Sequence, residues 1–143
     1  MLKTKLIHPG ILEALASAGH GATVLIADGN YPFSIKTHPN ARQVFLNLAP
    51  GILTVTDVLN VLVEVLSVES AEVMTPDTGK EPPVFSEFRK IIPQGIELVS
   101  LGRFEFYDRA CQRDLCLVIA TGEQRIYSNL LLTIGVVSPT TGR

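Results

Sequence analysis

The sequence predicts a single α/β domain with a largely parallel sheet and helices on both faces. Three observations lead there. At 143 residues the chain is close to the commonest size for one domain. Two short, almost wholly apolar runs, Thr23–Ala27 and Leu115–Ala120, lack polar alternation, which is the pattern of strands buried on both faces of a parallel sheet. Segments of helical period alternate with such runs along the chain. Hydrophobic residues make up 46% and charged residues 18%, with a mean hydropathy of +0.30. That excludes intrinsic disorder and leaves apolar surface for a subunit interface.

The elements follow in order. Residues 8–19 form a first helix: Ile11, Leu12, Leu15 and Ala16 have helical spacing, Pro9 suits the first turn, and Gly19 can supply a left-handed cap. The strand Thr23–Ala27 ends in the turn formers Asp28-Gly29-Asn30-Tyr31-Pro32. Residues 43–48 are a second strand. A helix spans about 57–68, capped by Thr54 or Thr56; its valines favour strand, but its length favours helix. A short strand at 72–74 leads into the loop 75–83. A helix at 84–92 gathers Phe85, Phe88 and Ile92 on one face. Then come a strand at 96–100, a helix at 103–112, the strand Leu115–Ala120 and a last strand near 129–134. Residues 138–143 form a polar, frayed tail, so the domain is expected over 1–137.

Charge and motif content exclude several functions. Twelve basic residues stand against 14 acidic ones, a net charge of −2, and no basic cluster marks a nucleic-acid partner. No apolar run reaches membrane-spanning length, and Met1-Leu2-Lys3-Thr4-Lys5 precedes no signal-type apolar segment, so a soluble cytoplasmic protein is expected. Cys111 and Cys116 read as reduced thiols. No two histidines have the spacing of a helical metal site, and there is no glycine-rich phosphate loop or G-x-S-x-G elbow. Neither a metal nor an organic cofactor is expected.

Ligands of open α/β sheets bind beyond the carboxyl ends of the strands. Asp28 stands at such an end, where an aspartate serves either a turn or a site. His20, between Gly19 and Gly21, is an uncrowded imidazole suited to exchanging protons near neutral pH; equally, it is a cation favoured by a helix C-terminus. His8 and His38, each before a proline, read as surface residues. Residues 101–110 mix aromatics with charges, as sugar sites do, and 121–129 is a polar stretch between strands. Each also reads as an ordinary solvated segment.

Taken together, Gly19-His20-Gly21, Asp28-Gly29-Asn30-Tyr31-Pro32, Arg103-Phe104-Glu105-Phe106-Tyr107-Asp108-Arg109-Ala110 and Thr121-Gly122-Glu123 with Arg125 and Tyr127-Ser128-Asn129-Leu130-Leu131 resemble the RbsD/FucU family of sugar mutarotases and pyranases. The likeness runs from Met1 to Val136 and is closer to the fucose branch. The resemblance implies an RbsD-like fold and assigns roles: His20 as general acid/base, with Asp28, Arg103, Tyr127, Ser128 and Asn129 binding a monosaccharide. It also implies a ring-like homodecamer with sites near subunit interfaces. Ala22, where the fucose branch often has Asp, and Asn30, where it often has His, depart from the pattern near the pocket.

The implied reaction opens and recloses a cyclic hemiacetal, of L-fucose, D-ribose or another sugar. It needs proton transfer, not a metal or a redox group. Two other readings stay open: a non-catalytic sugar-binding or transport-accessory protein, and an isomerase acting by enolisation, for which Asp28 is the nearby base.

Overall fold

The chain enters its first helix, α1 (Pro9–Ser17), at His8, whose Nδ1 accepts the Ile11 amide at 3.3 Å. His38 similarly accepts the Asn40 amide at 3.2 Å. Both histidines thus cap local backbone. The helix does not end on a left-handed Gly19. Ala18, in extended conformation, returns its N–H to the carbonyls of Ala14 and Leu15, and the left-handed glycine is Gly21 at φ 84°. The remaining elements are β1 (Thr23–Ala27), β2 (Arg42–Phe45), α2 (Val55–Leu62), β3 (Val68–Thr75), α3 (Val84–Ile91), β4 (Leu98–Gly102), α4 (Arg103–Ala110), β5 (Leu115–Ala120) and β6 (Leu130–Ile134). The computed structural model describes residues 1–140; of the expected tail, 138–140 are irregular and exposed, and 141–143 lie outside the described residues. Among the described residues no helix is long and apolar enough to cross a membrane.

The six strands lie in the order β2-β5-β1-β6-β3-β4. Pairs β2–β5, β5–β1 and β3–β4 are parallel, whereas β6 is antiparallel to both β1 and β3. The expected largely parallel sheet therefore carries one reversed strand near its middle. The cause is the connection: residues 121–129 contain no crossover helix, so β6 must re-enter from the edge where β5 left.

Alternation along the buried strands feeds two cores. Val24 and Ile26 of β1, with Leu117 and Ile119 of β5, meet α1, α2 and α3 through Ile11, Leu59, Phe85 and Phe88. Leu25 and Ala27, with Val118 and Leu131, meet α4 through Phe106 and Ala110 on the other face. Helices do cover both faces, three against one. Truncating a fully buried phenylalanine such as Phe88 would cost about 3–5 kcal/mol.

The second helix is shorter than its periodicity predicts. Thr54 is its cap, accepting the Asp57 amide while Asp57 returns a bond to the Thr54 N–H. It ends at Leu62, and Val68 already belongs to β3, opposite Ile134. Residues 63–67 turn the chain, and pairing with β6 recruits Val68 as strand, overriding the length of the apolar segment as a helical signal.

Candidate functional site

Five strands run one way and β6 the other, so the ends of β1, β3, β4 and β5 and the start of β6 share one edge. A cleft of about 430 Å³ opens there. Asp28, Asn30 and Tyr31 come to it from the loop after β1, Met74 from β3, Arg103 and Tyr107 from the first turns of α4, and Ile126, Tyr127 and Asn129 from the loop before β6.

Asp28 is 3% exposed, and among the described residues it has no cationic partner. One carboxylate oxygen accepts the Asn30 amide at 2.9 Å and the other the Ser128 amide at 3.3 Å. A carboxylate has about four lone-pair sites, so acceptor capacity remains for a ligand hydroxyl. Burial pushes this carboxyl above its ordinary range; the Asn30 and Ser128 amides and Asn129 pull it back only in part, and the Glu123 charge adds to the rise. The Asp28 amide in turn donates to Asn129 Oδ1 at 2.8 Å, and the Asn129 –NH2, with one N–H toward the Asp28 carboxyl, has a second for a ligand.

Tyr127 enters the cleft through a left-handed backbone conformation, φ 61°, which costs a non-glycine residue about 1–3 kcal/mol. Ser128 is wholly buried and serves through its backbone amide; its Oγ has no partner among the described residues. Arg103 is exposed, its guanidinium 5.4 Å from the Phe104 ring centroid and 5.8 Å from that of Tyr107. The Tyr107 ring meets Tyr31 edge-on at 5.7 Å. One wall of the cleft is thus an aromatic surface of edge-on rings bearing a fork of donors. Arg109, from the same segment, turns away to Glu72 and Asp114.

His20 stands elsewhere. It precedes β1, whereas Asp28 follows it, and the rise of that strand alone separates them by about 17 Å. Its Nε2 is 2.6 Å from Glu69 Oε2 at the start of β3, and both side chains are more than half exposed. One chain therefore brings Asp28, Arg103, Tyr127, Ser128 and Asn129 together and leaves His20 at the far edge of the sheet. Sequence reasoning missed Glu69, since nothing local ties it to a residue 49 positions earlier. It also passed over Tyr107, Tyr31 and Met74 as cleft walls, although the first two lie within segments it singled out.

Fold and cleft together define a small α/β protein with a polar, aromatic-walled ligand site at the carboxyl edge of a mixed sheet. The chain belongs to the RbsD / FucU transport protein family, whose pattern it matches over residues 1–137. It is 32% identical over 146 residues to bovine (Bos taurus) fucose mutarotase, covering 94% of this chain and 92% of that protein. To the D-ribose pyranase of Coprothermobacter proteolyticus it is 33% identical over 138 residues, covering 96% and 99%. Among solved structures, Bacillus subtilis RbsD complexed with D-ribose superimposes with a TM-score of 0.80 at 26% identity, covering 96% of this chain and 100% of that one.

Proposed function

We propose that the protein is a monosaccharide mutarotase, with residues 1–137 as its catalytic domain. The observation that carries this reading is the cleft itself: a buried carboxylate with free lone pairs, an oriented carboxamide and an arginine on an aromatic wall, in a family whose relatives are named for fucose and ribose. Asp28 accepts sugar hydroxyls, Asn129 and Arg103 donate to them, and Tyr107 and Tyr127 face the apolar side of the ring. Held so, the sugar loses little further orientational freedom on reaching the transition state.

In the reaction a base takes the proton from the anomeric hydroxyl while an acid protonates the ring oxygen. The C1–O5 bond breaks to an open-chain aldehyde, the carbonyl turns, and the hydroxyl recloses on its other face with the protons returned. His20 is the group for this exchange, with Glu69 fixing its ring. Since His20 and Asp28 occupy opposite edges of one sheet, the His20 that serves a cleft comes from a neighbouring copy, in a ring-like homodecamer. The reduced thiols of Cys111 and Cys116 accord with a cytoplasmic enzyme.

The test is NMR saturation transfer between the anomeric protons of L-fucose, D-ribose and other reducing sugars. Faster exchange of one sugar in the presence of protein is expected. Binding without acceleration anywhere in the panel would turn the reading into a sugar-binding protein. Deuterium entering at carbon 2 would replace ring opening by enolisation.

A further inference from the structure

The loop that presents Tyr127 and Asn129 is anchored by an ion-pair network outside the cleft. Glu123 is 3% exposed, yet carries a carboxylate. Its Oε1 accepts the backbone N–H and the Nε of Arg125, both at 3.0 Å, and its Oε2 accepts Arg125 Nη2 at 2.7 Å and the Val55 amide at 3.3 Å. The remaining arm of the guanidinium, Nη1, reaches Glu87 of α3 at 2.8 Å, and Nη2 lies 3.5 Å from Thr56 Oγ1 of α2. Arg125 therefore ties the loop to two helices on one face of the sheet. The Glu123 carbonyl accepts the Gly29 amide at 2.9 Å and so joins the same loop to the one bearing Asp28.

Two residues after this anchor comes the left-handed Tyr127, and directly after it the Ser128 amide bonded to Asp28. A non-glycine residue keeps such a conformation only when its surroundings over-determine it. On the carboxyl side that constraint is the Asp28–Ser128–Asn129 set. On the amino side it is the Arg125 fork, since Ile126 is exposed.

We propose that Arg125, gripped by Glu123 and braced by Glu87, is a positioning residue that sets sugar affinity by holding Tyr127 and the Ser128 amide in their binding conformation. The inference rests on the sugar-site reading above. Arg125 itself need not touch the sugar. It acts because a planar, bidentate guanidinium fixes direction as well as charge, which a lysine ammonium cannot do.

The experiment compares wild type with Arg125→Ala, Arg125→Lys and Glu87→Gln. It reads the Kd and KM of whichever panel sugar binds, kcat, and the ¹H–¹⁵N resonance of the Ser128 amide without sugar. Arg125→Ala should raise Kd and KM about tenfold with kcat within about threefold, as loss of uniform binding requires. Arg125→Lys should resemble Ala rather than wild type, Glu87→Gln should give a smaller rise, and the Ser128 amide should shift in each. A lower melting temperature with Kd, KM and the Ser128 resonance unchanged would overturn the inference and leave Arg125 as a plain stabilising ion pair. Full rescue by lysine would overturn it too. A wild type that binds and exchanges no sugar would sink the functional reading, and the Ser128 resonance would still decide the role of Arg125.

Discussion

The two edges of the sheet solve different problems. At the carboxyl edge, Asp28, Ser128 and Asn129 are buried and bonded to one another, so one chain by itself orders these polar groups of the cleft. At the amino edge, His20 and Glu69 form an isolated pair with side chains 58% and 52% exposed. Sugar hydroxyls need several fixed partners at once, and one chain can order these only by burying them. A proton-transfer group needs reach, and an exposed pair at the opposite edge can project into another copy. In the proposed enzyme, recognition is built into the fold of one chain, and proton transfer into the contact between copies.

Mixing subunits should break or sharpen this contrast most strongly. His20→Ala should lower exchange by about 10²–10⁴-fold with folding and sugar affinity kept, and Asp28→Asn should abolish tight binding. Neither alone should turn over, but co-expressed together they should regain activity, up to about a quarter of the composite sites in a random ring. No recovery, with mixed rings demonstrated by mass spectrometry, would place both groups in one chain's site and undo the contrast.

A smaller effect is expected from Glu69→Gln. The amide can still hydrogen-bond the imidazole but no longer supports its charge, so kcat should fall about three- to tenfold. KM should stay fixed, in contrast to the Arg125 variants. A change in KM alone would move Glu69 from the proton-transfer edge to the binding edge.

The smallest effect lies in pH dependence, within the carboxyl edge itself. Burial pushes Glu123 up, but the Arg125 fork and the Val55 amide more than reverse this, so its pKa is lowered on folding. Its contribution to stability is therefore present above about pH 4 and lost as the pH falls through the lowered value. Asp28, whose pKa burial raises, has the opposite sign: its contribution is present in acid and declines as the pH rises from about 4. The melting-temperature deficit of Glu123→Gln should shrink from pH 7 to pH 3, whereas Asp28→Asn should gain on wild type from pH 3 to pH 7. Parallel slopes would mean that the two buried carboxylates share one environment.

Much of the fold was legible because it depends on local pattern. Thr23–Ala27 and Leu115–Ala120 came out with their full extent, since an apolar run feeding cores on both faces has no solvent side to blur it. The cap of α2 was legible as Thr54 or Thr56, and only the reciprocal bonds with Asp57 decide for Thr54. Where local signals conflict, the reading failed: the valines at 63–68 satisfied a helical length until β6 claimed Val68 as strand. The Glu123–Arg125 anchor left only a faint trace, a carboxylate and a guanidinium two apart in a polar stretch, with nothing to announce that the carboxylate is buried.

The sequence by itself determined the class of fold, the turn that ends β1 at Asp28, and residue types able to meet hydroxyls and exchange protons. All of these follow from spacing and side-chain chemistry within a few residues. The tertiary structure alone decided that β6 runs backwards, that Asn129 and Ser128 therefore close on Asp28, and that His20 faces away from them beside Glu69. The physical reason is one of range. A strand's direction and an ion pair's partner depend on which distant segment fills the neighbouring place in the sheet, and only the packed chain resolves that competition.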